Sequence, residues 1–290
     1  MALVRQSPCK VNLLLNILGR RADGFHELET VLQPLALCDE LEFQRGGKRI
    51  QLTCSEPALA TDSTNLVHRA ATAFLRAAKS AEGVRIHLQK RIPMAAGLGG
   101  GSANAANTLL GLNQLFGGPL AFGQLSELAA NLGSDVPFFL QDGPALATGR
   151  GERIASLDRF RALRDVWAFL VYPGFGISTA WAYQSLAKFP DALNGRPGRA
   201  QELIALLHSS DLEAAAKEFF NSIEAPALNK YPLLVLFQEF LRANGALAAL
   251  MSGSGSTTFA LFPGRSAAEQ SHENFKVKYG GKYWTAFVPL

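Results

Sequence analysis

The chain has 290 residues, 48% of them hydrophobic and 18% charged, with a net charge of +4. That is the balance of a soluble globular protein with one large or two ordinary domains, and the core is not limited by length. The modest charge, with no basic run and no basic–aromatic alternation, excludes the usual nucleic-acid surface and fits an enzyme that draws in small anions.

Cys9, Cys38 and Cys54 are odd in number and lack disulfide or metal spacing, which points to a reducing compartment. The apolar stretch 11–18 follows Arg5 and Lys10 like a short signal core. It is interrupted by Asn12 and Asn16 and runs into Gly-Arg-Arg-Ala-Asp rather than a small-residue cleavage site. The uncharged stretches 92–126 and 243–264 are rich in Gly, Asn, Ser and Gln, unlike membrane spans. A cytoplasmic protein without membrane or nucleic-acid partners is expected.

In chain order, residues 11–18, 30–37, 41–43 and, after Gly46 and Gly47, 50–54 read as strands. A helix is expected from near Asp62, with Leu66, Val67, Ala70, Ala71, Phe74, Leu75 and Ala78 at helical spacing. Val84, Ile86 and Leu88 alternate with Arg85, His87 and Gln89 as a half-buried strand. It leads into the segment 93–107, where Gly97, Gly99, Gly100 and Gly101 precede Ser102 and an alanine-rich helix. That helix stops at Gly117-Gly118-Pro119, and another ends near Gly133. A hairpin at 148–154 leads to a strand at 166–172, and a boundary near 150–165 fits. Helices follow near 178–187, 200–208, 211–220 and 232–243, with a loop prone to disorder at 189–200. A strand, the glycine loop 253–256, the strand 257–262, a helix and the strand 283–288 close an α+β chain.

The glycine segment reads as an anion site. Ser102 is a preferred N-cap, and the first N–H groups of a helix have no internal acceptors and carry partial positive charge. No Asp or Glu occurs between Glu82 and Glu127, while Arg85, Lys90 and Arg91 lie just upstream. The Lys-Ser/Thr pair of a Walker loop and the acidic ribose partner of a dinucleotide fingerprint are both absent. A plain Gly-rich turn joining strand to helix stays open on these residues alone.

Five segments carry a resemblance. They are Pro8-Cys9-Lys10-Val11-Asn12-Leu13, Arg20-Arg21-Ala22-Asp23-Gly24-Phe25-His26, the glycine segment 93–107, Gly133-Ser134-Asp135-Val136-Pro137-Phe138 and Met251-Ser252-Gly253-Ser254-Gly255. In this order across nearly the whole chain, the sequence resembles the GHMP kinase superfamily. It is most similar to the branch of isoprenoid precursor synthesis whose acceptor is a cytidine diphosphate sugar-alcohol.

The resemblance implies an α+β, two-domain GHMP kinase-like fold. Its N-terminal part, residues 1–155, would be ribosomal protein S5 domain 2-like and hold the ATP-binding glycine loop. Its C-terminal part, 156–290, would be a ferredoxin-like α/β sandwich. It implies ATP and Mg²⁺, with no acidic constellation that names a metal ligand. Asp135 matches the catalytic aspartate and Lys10 its paired lysine, which suits a reaction needing a proton acceptor and positive charge near the transferred oxygens. Pro93, Gly97, Leu98, Gly99, Gly100, Gly101, Ser102, Ala103, Asn65 and Lys90 match ATP-side positions. Asn12, Phe25, His26, Tyr183 and Gly255 match the acceptor side, with Phe25 where relatives often carry tyrosine.

Other readings of these residues stay open: a turn carboxylate for Asp135, a surface charge for Lys10, a capping histidine for His26, core packing for Tyr183 and a tight hairpin for 253–256. At the level of function, another small alcohol such as homoserine or mevalonate stands as an alternative acceptor. A catalytically silent nucleotide sensor stands as the alternative to an enzyme, and both monomer and homodimer fit.

Overall fold

Residues Leu3–Arg20 form one 18-residue strand, β1, and His26–Arg45 a 20-residue strand, β2, where the sequence predicts three shorter ones. The strands expected at 30–37 and 41–43 are continuous across residues 38–40, where the Asp39 carboxylate is fully buried and fully bonded. The computed structural model describes residues 2–290.

The chain continues through β3 (Ile50–Cys54), α1 (Leu66–Ala77), β4 (Val84–Gln89), α2 (Gly100–Leu115), α3 (Phe122–Leu132) and a 3-10 turn at Pro137–Leu140. A hairpin of β5 (Ala145–Gly149) and β6 (Arg153–Ser156) precedes β7 (Val166–Tyr172). Next come α4 (Thr179–Ser185), the single turn α5 (Pro190–Leu193), α6 (Arg199–His208), α7 (Leu212–Glu218) and the two-residue β8 (Phe220–Asn221). The chain ends with α8 (Glu224–Lys230), α9 (Pro232–Ala243), β9 (Ala248–Met251), β10 (Thr258–Pro263), α10 (Arg265–Tyr279) and β11 (Trp284–Pro289).

Two compact units share the chain. One comprises the segment up to Cys9, Leu37–Pro93 and Gly99–Asp142. The other comprises Lys10–Ala36, Met94–Leu98 and Gly143–Leu290. They interleave because β1 and β2 each run through both.

In the first unit β4 lies between β3, which it pairs in parallel, and the C-terminal part of β2, which it pairs antiparallel from Glu40↔Gln89 to Arg45↔Val84. Helix α1 turns Val67, Ala70, Ala71 and Phe74 inward, and Asn65 rather than Asp62 caps it, its Oδ1 accepting from Val67 N at 2.8 Å. Helix α2 is buried along most of its length, which its small residues permit. A Cβ on Gly111 would stand 2.6 Å from the Phe43 ring, so only glycine lets the helix lie this close to β2.

In the second unit an antiparallel sheet of order β11-β7-β10-β9 carries Phe169 and Phe262, which share a core with Phe237 of α9 and Phe275 of α10. The hairpin β5–β6 pairs through β5 with the N-terminal part of β2, and β8 adds in parallel to β1 at Leu14↔Phe220. The sequence reading contained neither β8 nor α8. Among the described residues no helix is long and apolar enough to cross a membrane.

Candidate active site

Lys10 and Asn12 are two apart on β1, so their side chains share a face. Both are 4% exposed, which rules out a solvated surface lysine. Lys10 Nζ donates to Asn12 Oδ1 at 2.6 Å and to the Gly97 carbonyl at 3.2 Å. The Thr30 hydroxyl gives its one proton to the Leu14 carbonyl and therefore accepts from Asn12 Nδ2 at 2.8 Å. Thr30 thus fixes which way the Asn12 amide faces and keeps an oxygen on the ammonium.

Gly97 needs to be glycine twice over. Its φ is +79°, and a Cβ there would sit 2.1 Å from the Ser252 carbonyl oxygen. Ser252 Oγ donates to Gly97 O at 3.0 Å, and Thr257 N donates to Ala96 O at 3.1 Å. The loop containing Gly253, Ser254, Gly255 and Ser256 is the connection between β9 and β10, so the hairpin reading is correct. It also comes up against Lys10, since a Cβ on Gly253 would be 3.1 Å from Lys10 Nζ.

Phe25, His26 and Tyr183 lie in the same unit. The turn before β2 is closed by Arg21 N to Phe25 O at 2.8 Å and by Phe25 N to Asp23 Oδ1 at 3.1 Å, which leaves the Phe25 ring 54% exposed. The Arg150 guanidinium lies 4.7 Å over that ring. His26 opens β2, and its ring centroid is 5.2 Å from that of Tyr183 on α4. Burial, then the Arg20 charge, holds the His26 pKa below its ordinary value, which favours a neutral imidazole with one donor and one acceptor.

In the first unit the glycine run opens α2 three residues earlier than a Ser102 cap would. Gly99, at φ +71°, is the cap, and Ser102 stands third in the helix instead of capping it. The first backbone bond is Ala103 N to Gly99 O at 2.9 Å, so the N–H groups of Gly100, Gly101 and Ser102 precede it, as an anion site requires. Lys90 forms an ion pair with the Asp39 carboxylate, which also accepts from Arg91 N at 2.7 Å, Ile92 N at 2.9 Å and Asn104 Nδ2 at 3.0 Å. One buried carboxylate thereby ties the end of β4 to α2. Asn65 spends its side chain locally, capping α1 and donating to Ala60 O at 2.7 Å. Asp135 is partly buried between α3 and the 3-10 turn, beside the buried Val136, Phe138 and Phe139, with Val136 N bonded to Gly133 O at 3.1 Å.

Comparison with known proteins identifies the family. The GHMP kinases N terminal domain matches residues 65–143 and the GHMP kinases C terminal domain matches 190–279. A 4-diphosphocytidyl-2-C-methyl-D-erythritol kinase of Synechococcus sp. (strain JA-2-3B'a(2-13)) is 40% identical over 288 residues, covering 97% of this chain and 92% of that one. The chain belongs to the 4-diphosphocytidyl-2-C-methyl-D-erythritol kinase family of GHMP kinases.

The relative from Syntrophus aciditrophicus (strain SB) is 42% identical over 268 residues, 91% of each chain. A crystal structure of a 4-(cytidine 5'-diphospho)-2C-methyl-D-erythritol kinase superposes with a TM-score of 0.81 at 35% identity, covering 99% of this chain and all of that one. A homoserine kinase from Cytophaga hutchinsonii, at 20% identity and a TM-score of 0.75, shares the fold.

No cluster of three or more His, Cys, Asp or Glu side chains lies among the described residues, and Mg²⁺ carried on phosphates needs only one or two protein oxygens. The Ser102 hydroxyl in the first turn of α2 is of the right chemistry for one. Thr30, Asp39 and Arg150 went unnoticed in the sequence, and Ser252 had no role of its own there, because their roles depend on partners far away in the chain. No local pattern announces them.

Proposed function

We propose that this chain transfers the γ-phosphoryl group of ATP to the 2-hydroxyl of 4-diphosphocytidyl-2-C-methyl-D-erythritol, a step of isoprenoid precursor synthesis. The observation that carries the reading is the aromatic set Phe25, His26 and Tyr183, with the His26 and Tyr183 rings 5.2 Å apart, in a chain 40% identical to kinases named for that acceptor. A cytosine offers a face to stack and an edge to pair, and a neutral His26 supplies both a donor and an acceptor for the edge. Phe25 keeps the stacking ring without a hydroxyl.

The α2 N-terminus with Gly99, Gly100, Gly101, Ser102 and Ala103 holds the phosphates, with Pro93, Gly97, Leu98, Lys90 and Asn65 shaping the nucleotide side. Asp135 accepts the proton of the attacking hydroxyl. Lys10, oriented by Asn12, offsets charge on the transferred group, and Gly255 borders the acceptor. Mg²⁺ on the nucleotide neutralises phosphate charge. Phosphoryl transfer asks for this positioning and electrostatic stabilisation rather than for covalent chemistry. Residues 1–155 and 156–290 are the two family domains in chain order, and the enzyme works in the cytoplasm as a monomer or homodimer.

Homoserine or mevalonate would leave the aromatic set without a base to stack. A silent sensor would have no use for a buried lysine held by Asn12 and Gly97. The test is ADP release with Mg-ATP, comparing the cytidyl diphosphate acceptor with homoserine and mevalonate. Release with the cytidyl compound alone is expected. Release with another alcohol keeps the kinase and discards the base site, and ATP binding without release selects the sensor.

A further inference from the structure

Strand β9 is an edge of its sheet, and an edge strand presents unpaired N–H and C=O groups. Here side chains from β8, α8 and α9 fill them. Glu224 Oε1 accepts from Met251 N at 2.6 Å and from Gln238 Nε2 at 2.6 Å. Asn221 Nδ2 donates to Met251 O and to Gly253 O, both at 2.8 Å, while its Oδ1 accepts from Ile223 N at 2.9 Å. Arg242 Nη2 donates to Ala249 O at 2.7 Å and to Gln238 Oε1 at 3.3 Å. Both backbone polar groups of Met251 are therefore held by side chains at the point where β9 becomes the glycine loop.

That loop is what the lysine pocket leans on. Ser252 Oγ and Lys10 Nζ both donate to Gly97 O, and a Cβ on Gly253 would lie 3.3 Å from Asn12 Oδ1. On its other side the Ser254 hydroxyl is 2.9 Å from Thr179 Oγ1, at the start of the helix that carries Tyr183.

We propose that Glu224 and Asn221 are positioning residues for phosphoryl transfer, fixing the 252–256 loop against which Lys10 and Gly97 are placed. The proposal rests on the kinase reading above. Both residues act through the loop rather than by touching the substrates. The clamp is made of hydrogen bonds to backbone atoms, so an oxygen acceptor at 224 is what it needs. Burial pushes the Glu224 carboxyl up to about 7, against the Met251 N–H, Gln238 and Arg242, which favour the carboxylate.

Wild type, Glu224→Ala, Glu224→Gln and Asn221→Ala are compared by coupled ADP release, thermal melting and the ¹⁵N–¹H signals of Gly253 and Gly255. A small misplacement of a catalytic group costs up to roughly 10²-fold, so kcat should fall by that order in Glu224→Ala, with KM for ATP unchanged and a cooperative melt retained. Glu224→Gln should restore most of kcat. The two glycine signals should move in Glu224→Ala and Asn221→Ala and return in Glu224→Gln. Unchanged kcat in Glu224→Ala overturns the proposal, as does a loss matched by the unfolded fraction or a folded Glu224→Gln as damaged as the alanine variant. If wild type does not phosphorylate the acceptor, the kinase reading fails, and the glycine signals alone judge the clamp: movement supports it and stillness overturns it.

Discussion

Lys10 Nζ stands 2.6 Å from Asn12 Oδ1, and Thr30 holds the amide that makes the contact. A buried ammonium is costly unless oxygens surround it, and Asn12 Oδ1 and the Gly97 carbonyl supply two of them.

Asp135→Asn is expected to fold and to bind ATP while losing roughly 10²–10⁴ in kcat, the contribution of a positioned base. Lys10→Met should lose turnover comparably, through lost charge stabilisation. Single-turnover kinetics beside an ATP titration checks both. Near-normal turnover in the asparagine variant removes Asp135 as the base.

His26→Ala and Phe25→Leu should raise KM for the cytidyl acceptor and leave KM for ATP in place. Stacking a base on an aromatic ring is worth about 1–3 kcal/mol, so Phe25→Leu should cost about tenfold or more in acceptor affinity. Steady-state kinetics with each substrate varied in turn gives the answer, and equal losses on both sides would count against a cytosine role.

Asp39→Ala leaves Lys90 without its carboxylate and strips an acceptor from Arg91 N, Ile92 N and Asn104 Nδ2. Breaking a buried pair from one side costs about 3–5 kcal/mol, which urea unfolding would detect as a lower midpoint. Lys90→Met should lose both stability and ATP affinity. Lost stability with an unchanged KM for ATP would assign Lys90 wholly to Asp39.

Glu224 makes stability depend on pH. Its pKa is raised from 4.5 to about 7 on folding, so the folded state takes up a proton between those values. The stabilisation is complete below the unfolded pKa and is lost as pH rises through about 7. Its full size is about 3 kcal/mol. His26, whose pKa is lowered, has the opposite slope, so the comparison is with Glu224→Gln, which keeps His26. The urea midpoint of wild type should fall relative to that variant between about pH 5 and pH 7, and parallel curves would contradict the buried carboxyl.

Much of the frame was legible in the chain itself. Strand β3, helix α6 and the alternation of β4 lie within a residue or two of where turn signals and periodicity put them, because those signals act over a few residues. The motif order identified the family for the same reason: each motif is a local backbone shape with its own residues. The boundaries that failed were those decided at long range. The gap between strands 30–37 and 41–43 closes where Asp39 meets Lys90 and Asn104, and the first turn of α2 begins at Gly100 because Gly99, in a left-handed conformation, takes the cap position in place of Ser102.

By itself, then, the sequence determined most of the secondary elements and the family, and it offered a phosphate-type helix start and a catalytic pair as expectations, because each of these readings depends on neighbouring residues. Only the tertiary structure decided that Lys10 is buried and turned by Asn12 and Thr30, and that Gly97 must be glycine because of Ser252. It alone showed that Asn221 and Glu224 grip the loop beneath them. Those are contacts between residues up to 155 positions apart, and hydrogen bonds depend on distance and angle in space, which no local pattern encodes.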